Sequence, residues 1–166
     1  MTLACVYTLN RKDGEMAICV YVDDLIIGCN NDKLRNIIVG LIRDKYGIKD
    51  QGQLDFVLGV EIIHRKDGIL LSQEAYIDRL LERHNMQDCN PASTPLSPSL
   101  NLTRDPDGVS VDETLYRSII GGLAYCMYST RPDIAFSVSK LSRYLNDPKK
   151  SHLIAAKEVI RDLKST

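Results

Sequence analysis

No two of the five cysteines, Cys5, Cys19, Cys29, Cys89 and Cys126, form a C-x-x-C pair, and His64, His84 and His152 stand far apart. Zinc sites usually draw on closely spaced ligand pairs, so the pattern supports no zinc site. Cys19 lies in an apolar stretch and reads as a small core residue. Long apolar runs are missing too. The longest, Met16 to Val22, is too short to span a bilayer. The start, Met1-Thr-Leu-Ala-Cys-Val-Tyr7, has no basic region and no apolar run of signal-peptide length. These absences lead to the expectation of an intracellular protein, not secreted and with no membrane partner. Nor does either charge dominate: 21 Lys and Arg face 22 Asp and Glu, for a net charge of -1. A self-standing nucleic-acid-binding domain is usually basic, so the bulk charge counts against that function. Its distribution softens the objection. Residues 113–166 hold nine Lys and Arg against five Asp and Glu, a net +4, which leaves -5 for the rest. A basic C-terminal segment suits a phosphate backbone, or simply a solvated helical surface.

What is present is ordinary for a globular protein. Of 166 residues, 44% are hydrophobic and 26% charged, enough for one domain or two small ones. The hydrophobic pattern predicts strands over Ala4–Leu9, Glu15–Val22 and Leu25–Cys29. The first two are joined by a turn at Arg11-Lys-Asp-Gly14. Asn30 or Asn31 can cap a helix ending near Gly47, with Leu34, Ile37, Ile38, Leu41 and Ile42 as its core stripe. A strand over Phe56–His64 returns through Ile69–Leu71 after a second copy of the same turn, Arg65-Lys-Asp-Gly68. Shared turn chemistry accounts for the repeat. Ser72 can cap a helix from Gln73 to His84.

Residues 88–112 are rich in Pro, Ser, Thr, Asn and Asp and read as a linker or irregular arm. Beyond it, a helix from Glu113 to Tyr128 follows a cap at Asp112. Thr130-Arg-Pro-Asp133 reads as a capping box opening a helix to Leu145. Ser151 can cap a third helix. The expected core register is Ile119, Leu123, Ile134, Val138, Leu141, Ile154, Val159 and Leu163. The fold class is therefore α+β, with hairpins and helices in 1–87, the linker 88–112, and an all-helical segment 113–166.

The chemistry centres on Asp23-Asp24, which should sit at a tight reversal between strands. Two like charges so close raise each other's proton affinity, and a bound divalent cation relieves the repulsion. Mg²⁺ (or Mn²⁺) prefers carboxylate and phosphate oxygens. Two such ions roughly 3.5–4 Å apart can activate a 3′-hydroxyl and stabilise a leaving pyrophosphate oxygen. An Asp pair alone is more often a plain polar turn.

The surroundings make it more specific. Tyr21-Val22-Asp23-Asp24, within Ala17-Ile-Cys-Val-Tyr-Val-Asp-Asp-Leu-Ile-Ile-Gly28, resembles the catalytic hairpin of reverse transcriptases. The valine variant with this flank resembles the copia group of long-terminal-repeat retrotransposons. Asp55-Phe-Val-Leu-Gly-Val-Glu-Ile62, Tyr116-Arg-Ser-Ile-Ile-Gly-Gly-Leu-Ala-Tyr125 and Thr130-Arg-Pro-Asp-Ile-Ala-Phe136 are similar to further blocks of that group, in the same order. The resemblance implies a partial palm followed by a helical thumb or connection region. It makes Asp23 a metal ligand, with Asp24 beside it, and places Tyr21 and Val22 near the primer terminus. The hairpin with Phe56, Leu58, Gly59 and Glu61 looks like the primer grip. The helix with Tyr116, Arg117, Gly121, Gly122 and Tyr125 is similar to the thumb helix that follows the duplex. Adjacent glycines allow close approach either of a duplex or of another helix.

The resemblance also implies partners: an RNA template, an RNA–DNA duplex, and the fingers, upstream palm and ribonuclease H of a Pol polyprotein, in a cytoplasmic particle or nucleus. Such polymerases need a further aspartate on an earlier strand, and the 20 residues before Tyr21 match only the segment next to the hairpin. The chain alone is therefore expected to be inactive and to hold Mg²⁺ poorly. The readings are a polymerase segment, active in the longer protein, or a degenerate or co-opted binding module. A small carboxylate-metal phosphoesterase would need a further ligand converging on Asp23.

Overall fold

A computed structural model describes residues 5–97 and 100–165, so Ala4 of the first expected strand and Pro98 of the expected linker lie outside it. The class is α+β: two antiparallel three-stranded sheets and five α-helices among the described residues. The chain packs as two compact units divided between Leu54 and Asp55. That boundary does not coincide with the linker read from composition.

The first unit is a meander of β1 (Val6–Arg11), β2 (Gly14–Tyr21) and β3 (Asp24–Cys29), followed by α1 (Asp32–Tyr46). Arg11 pairs with Gly14 across a two-residue turn of Lys12-Asp13, and Tyr21 pairs with Asp24. Alternation sets the burial: Met16 of β2 is under 5% exposed, as are Leu34 and Val39 of α1. The start of α1 is fixed by Asn31, whose side-chain oxygen accepts from the N–H groups of Lys33 and Leu34 at 2.9 and 3.2 Å. The amide of Asn31 also donates to the Asp13 carbonyl, which joins the helix cap to the first turn. A Cβ on Gly14 would come within 2.9 Å of the Asn31 Cβ, so this turn needs glycine for close approach. Gly47 closes the helix at φ 68.

One part of the expected core stripe is not core. Ile37 and Leu41 are both 61% exposed. The helix is apolar around more than one face, and the buried side runs through Leu34 and Val39.

The second unit begins with β4 (Phe56–Val57), β5 (Val60–Arg65) and β6 (Gly68–Ser72). The expected single strand Phe56–His64 is in fact a hairpin, reversed at Leu58-Gly59 with Val57 paired to Val60. Both turn residues have positive φ, 50 and 83, as in the tight turns that suit the twist of paired strands. Arg65 pairs with Gly68 across Lys66-Asp67, so the two copies of the Arg-Lys-Asp-Gly tetrapeptide make the same two-residue turn.

The helices are α2 (Glu74–Arg83), α3 (Glu113–Ser129), α4 (Ala135–Leu141) and α5 (Lys150–Ser165), with 3₁₀ turns at Pro132–Ile134 and Ser142–Tyr144. Asp112 caps α3 by accepting from the Thr114 N–H at 2.8 Å. Three other expected caps come out differently. Gln73, not Ser72, holds the cap position of α2, although the Ser72 hydroxyl accepts from the Glu74 N–H at 3.2 Å. Thr130 makes no capping box. Its hydroxyl donates to the Gln73 side chain at 2.7 Å, and Asp133 pairs with Arg131 at 2.7 Å, so the segment opens as a 3₁₀ turn. The helix expected to run to Leu145 yields to a second 3₁₀ turn after Leu141. Ser151 lies inside α5, where His152 Nδ1 instead accepts from the Lys149 N–H at 2.9 Å.

The core unites Leu80 and Leu81 with Ile119, Leu123, Ile134, Val138 and Leu141, against Val159, Ile160 and Leu163. Ile154, expected there, is 59% exposed; Ala155 and Ala156 take the inner face of α5. The irregular segment after α2 is strapped onto this core. Its backbone carbonyls accept from long side chains of the helices: Leu100 from Lys140 at 2.8 Å, Leu102 from Tyr144 at 2.7 Å, and Asn90 from Arg161 at 2.6 Å. A chain without a sheet or helix ladder must find such partners where it is shielded from water.

Candidate active site

The β2–β3 hairpin brings the Asp pair to its tip. Tyr21 ends β2, Val22 and Asp23 make the turn, and Asp24 opens β3. All four residues are exposed, Val22 at 82%. Val22 adopts φ 51, a left-handed conformation that a β-branched residue seldom takes. Strain of this kind costs on the order of 1–3 kcal/mol and gathers at functional turns. Among the described residues, no side chain forms an ion pair with either carboxylate. The oxygen donors suit a hard divalent cation, and their exposure leaves them open to one. Among the described residues no three His, Cys, Asp or Glu side chains come together to hold a metal ion. The phosphoesterase reading therefore finds no third ligand beside the Asp pair among the described residues.

The second unit gathers several of the other candidate residues. Phe56 and Leu58 are more than half exposed on the β4–β5 hairpin, and Phe56 pairs with Glu61. The Tyr125 hydroxyl of α3 donates to the Leu58 carbonyl. A Cβ on Gly59 would lie 2.6 Å from that hydroxyl oxygen. Leu58, Gly59 and Tyr125, read from separate blocks, therefore meet. The sequence reading missed Tyr76, whose ring meets that of Tyr125 edge-on, with centroids 4.5 Å apart. Burial pushes the Tyr76 hydroxyl above its ordinary pKa.

Other candidates separate. Tyr116 is fully buried, and its hydroxyl donates to the Leu141 carbonyl at 2.9 Å. Burial raises its pKa, and the side chain offers no surface to a ligand. Arg117 is bound to its own surroundings: Glu113 at 2.8 Å and the Leu145 carbonyl at 3.2 Å. The glycine pair divides its functions. A Cβ on Gly122 would meet Leu80 Cδ1 at 2.5 Å, so this glycine lets α2 approach α3, whereas Gly121 faces open space. Cys126 of α3 is buried, and burial pushes its thiol up to about 11. No helix among the described residues is long and apolar enough to cross a membrane.

Comparison with known proteins agrees with the family resemblance. Residues 2–98 match the family Reverse transcriptase (RNA-dependent DNA polymerase). The chain is 35% identical over 161 residues to a retrovirus-related Pol polyprotein from transposon RE1 of Arabidopsis thaliana, covering 97% of this chain and 11% of the relative. It is 36% identical over 171 residues to the corresponding polyprotein from transposon TNT 1-94 of Nicotiana tabacum, covering 98% and 13%. A transposon Ty5-1 protein of Saccharomyces cerevisiae is 35% identical over 162 residues, covering 97% and 53%. The chain thus spans about a tenth of the plant polyproteins and about half of the yeast protein. No solved structure matches it significantly.

Proposed function

The chain belongs to the reverse transcriptase family and corresponds to a stretch of retrotransposon Pol polyproteins, and from that premise we propose that it carries part of the catalytic centre of an RNA-directed DNA polymerase. The observation that carries the proposal is the β2–β3 turn, which holds Asp23 and Asp24 side by side, exposed, at the end of a strand within the family-matched segment. Asp23 is the metal ligand and Asp24 its neighbour. Mg²⁺ or Mn²⁺, when bound, supplies charge stabilisation for nucleotidyl transfer in a two-metal arrangement. Tyr21 and Val22 flank the primer terminus, while Phe56, Leu58, Gly59 and Glu61 position its 3′ end. The exposed side of α3, at Gly121, follows an RNA–DNA duplex, while the Tyr125 hydroxyl is held on the Leu58 carbonyl. Fingers, upstream palm and ribonuclease H come from the rest of the polyprotein.

Two carboxylates hold a metal poorly and orient a nucleotide less well still. The chain alone is therefore inactive. Primer extension on poly(A)–oligo(dT) tests this directly: the pure chain is expected to incorporate nothing, and Mg²⁺-dependent incorporation overturns the inactivity of the chain alone. Binding is expected to be weak and salt-sensitive, through residues 113–166. A shift assay at low salt without retardation refutes that part.

A second reading, a remnant or co-opted binding module, draws on the much shorter yeast relative, about half of which the chain covers. The genomic sequence upstream separates the two. An in-frame strand with a further aspartate supports the polymerase segment, and a stop or frameshift supports the remnant.

A further inference from the structure

The β4–β5 turn is unusual in its chemistry. Leu58 takes φ 50 and Gly59 φ 83, yet leucine is not a residue that favours a left-handed backbone. Such a conformation persists where the surroundings over-determine it. Here the surroundings are a short chain of contacts across the second unit. Gly122 admits Leu80 against α3, since any Cβ there would meet Leu80 Cδ1 at 2.5 Å. The approach of α2 brings Tyr76 edge-on to Tyr125, at 4.5 Å between centroids and 62° between planes. The ring of Tyr125 is thereby oriented, and its hydroxyl donates to the Leu58 carbonyl. Gly59 completes the fit, because a Cβ at that position would lie 2.6 Å from the same hydroxyl oxygen. Each side of the contact is specific: one hydroxyl, one carbonyl, and one glycine that leaves room for both.

We propose that Tyr125 is a positioning residue, whose hydroxyl sets the Leu58-Gly59 turn and so couples α3 to the hairpin that holds the primer 3′ end. The inference rests on the assignment of that hairpin to the primer end made above. It adds a residue that acts through Leu58 and touches no substrate itself. A duplex that shifts α3 then shifts the turn with it, because the Tyr125–Leu58 hydrogen bond joins them.

Tyr125→Phe tests this with little risk to folding, since it keeps the ring against Tyr76 and removes only the hydroxyl. Two measurements on the full chain are needed. The first is hydrogen exchange at the backbone amides of Leu58, Gly59 and Val60, expected to speed up in the variant. Unchanged exchange at all three overturns the proposal, whatever the binding result. The second is fluorescence anisotropy on two RNA–DNA duplexes, one with a recessed primer 3′ end and one blunt. Loss of a single neutral hydrogen bond is expected to weaken binding of the recessed duplex about fivefold, leaving the blunt duplex unchanged. Equal loss on both, or loss on neither, overturns the positioning role. A wild-type chain that binds neither duplex overturns the primer-end assignment itself, an outcome distinct from the other failures. Gly59→Ala supplies an independent arm: its penalty on the recessed duplex is expected to be smaller in the Tyr125→Phe background, where the crowding oxygen is gone. Additive penalties count against the contact.

Discussion

Val22 turns the chain at the tip of the β2–β3 hairpin with φ 51 and its side chain 82% exposed, so packing gives back little of what the conformation costs. Asparagine tolerates this backbone better than a β-branched residue. Val22→Asn is expected to stabilise the first unit by about 1 kcal/mol in urea unfolding; no gain, or a loss, removes the strain argument. Tyr116 poses the opposite case. Its hydroxyl is bonded and buried, so Tyr116→Phe leaves the Leu141 carbonyl without that donor and should cost about 1–2 kcal/mol while duplex affinity stays unchanged. Weaker duplex binding at unchanged stability contradicts a purely internal role. His84 adds a dependence on pH. It is 8% exposed, and neither ring nitrogen has a hydrogen-bond partner among the described residues. Burial, then the charges of Arg83 and Lys157, holds its pKa below the ordinary value of 6.5. The unfolded state therefore takes up a proton first. Stability is full above about pH 6.5 and falls as pH drops below it toward the folded value. His84→Leu is expected to flatten the fall between pH 7 and 5, measured by urea midpoints; an unchanged slope shows that another group is responsible.

At the level of elements, the adjacent glycines of α3 make a paired test. A Cβ at Gly121 meets nothing within 4 Å, so Gly121→Ala gains helix propensity and should stabilise by about 0.5–1 kcal/mol. A Cβ at Gly122 presses on Leu80, which is only 2% exposed and has no room to retreat. Gly122→Ala is therefore expected to cost about 1–3 kcal/mol. Thermal melts of both variants moving in the same direction contradict the division. Much of this architecture was legible in sequence, where local chemistry decides it. Asn31, Gly47 and Asp112 mark helix ends because cap geometry depends on the residue itself, and the Asp pair falls at the reversal, Asp23 in the turn and Asp24 first in β3, because strand interiors reject it. Features set by distant partners were not. Nothing local predicts that Leu58 would enter a left-handed turn, since its hold comes from Tyr125, 67 positions away. Thr130 has the spacing of a capping box, but its hydroxyl is drawn toward the distant Gln73 and Asp133 pairs with Arg131 instead of reaching back to the cap. Residues 88–112 look like a free linker by composition, because the side chains that grip their carbonyls belong to α4, α5 and the 3₁₀ turn between them.

Across the whole molecule, hydrophobic burial is unequally shared. The buried apolar side chains of the first unit, among the described residues, are Met16, Leu34 and Val39, whereas the second unit's cluster contains 17 buried residues. Burial of a large apolar side chain contributes about 1.5–3 kcal/mol, so the first unit has far less to set against the entropy of ordering its chain. It also exposes Ile37 and Leu41 on α1, together with Val6 and Tyr7 on the outer strand β1. An edge strand with apolar side chains in solvent is a template for association. The isolated chain is therefore expected to unfold in two steps, the first unit at lower urea, and to scatter light increasingly with concentration once that unit opens. The point variants identify the steps. Val22→Asn should move only the earlier transition, while Tyr116→Phe and Gly122→Ala should move only the later one. A single transition shifted by all three variants would show that the units fold as one, and a soluble monomer with one cooperative high-temperature melt would contradict the marginal stability argued from the three-residue core.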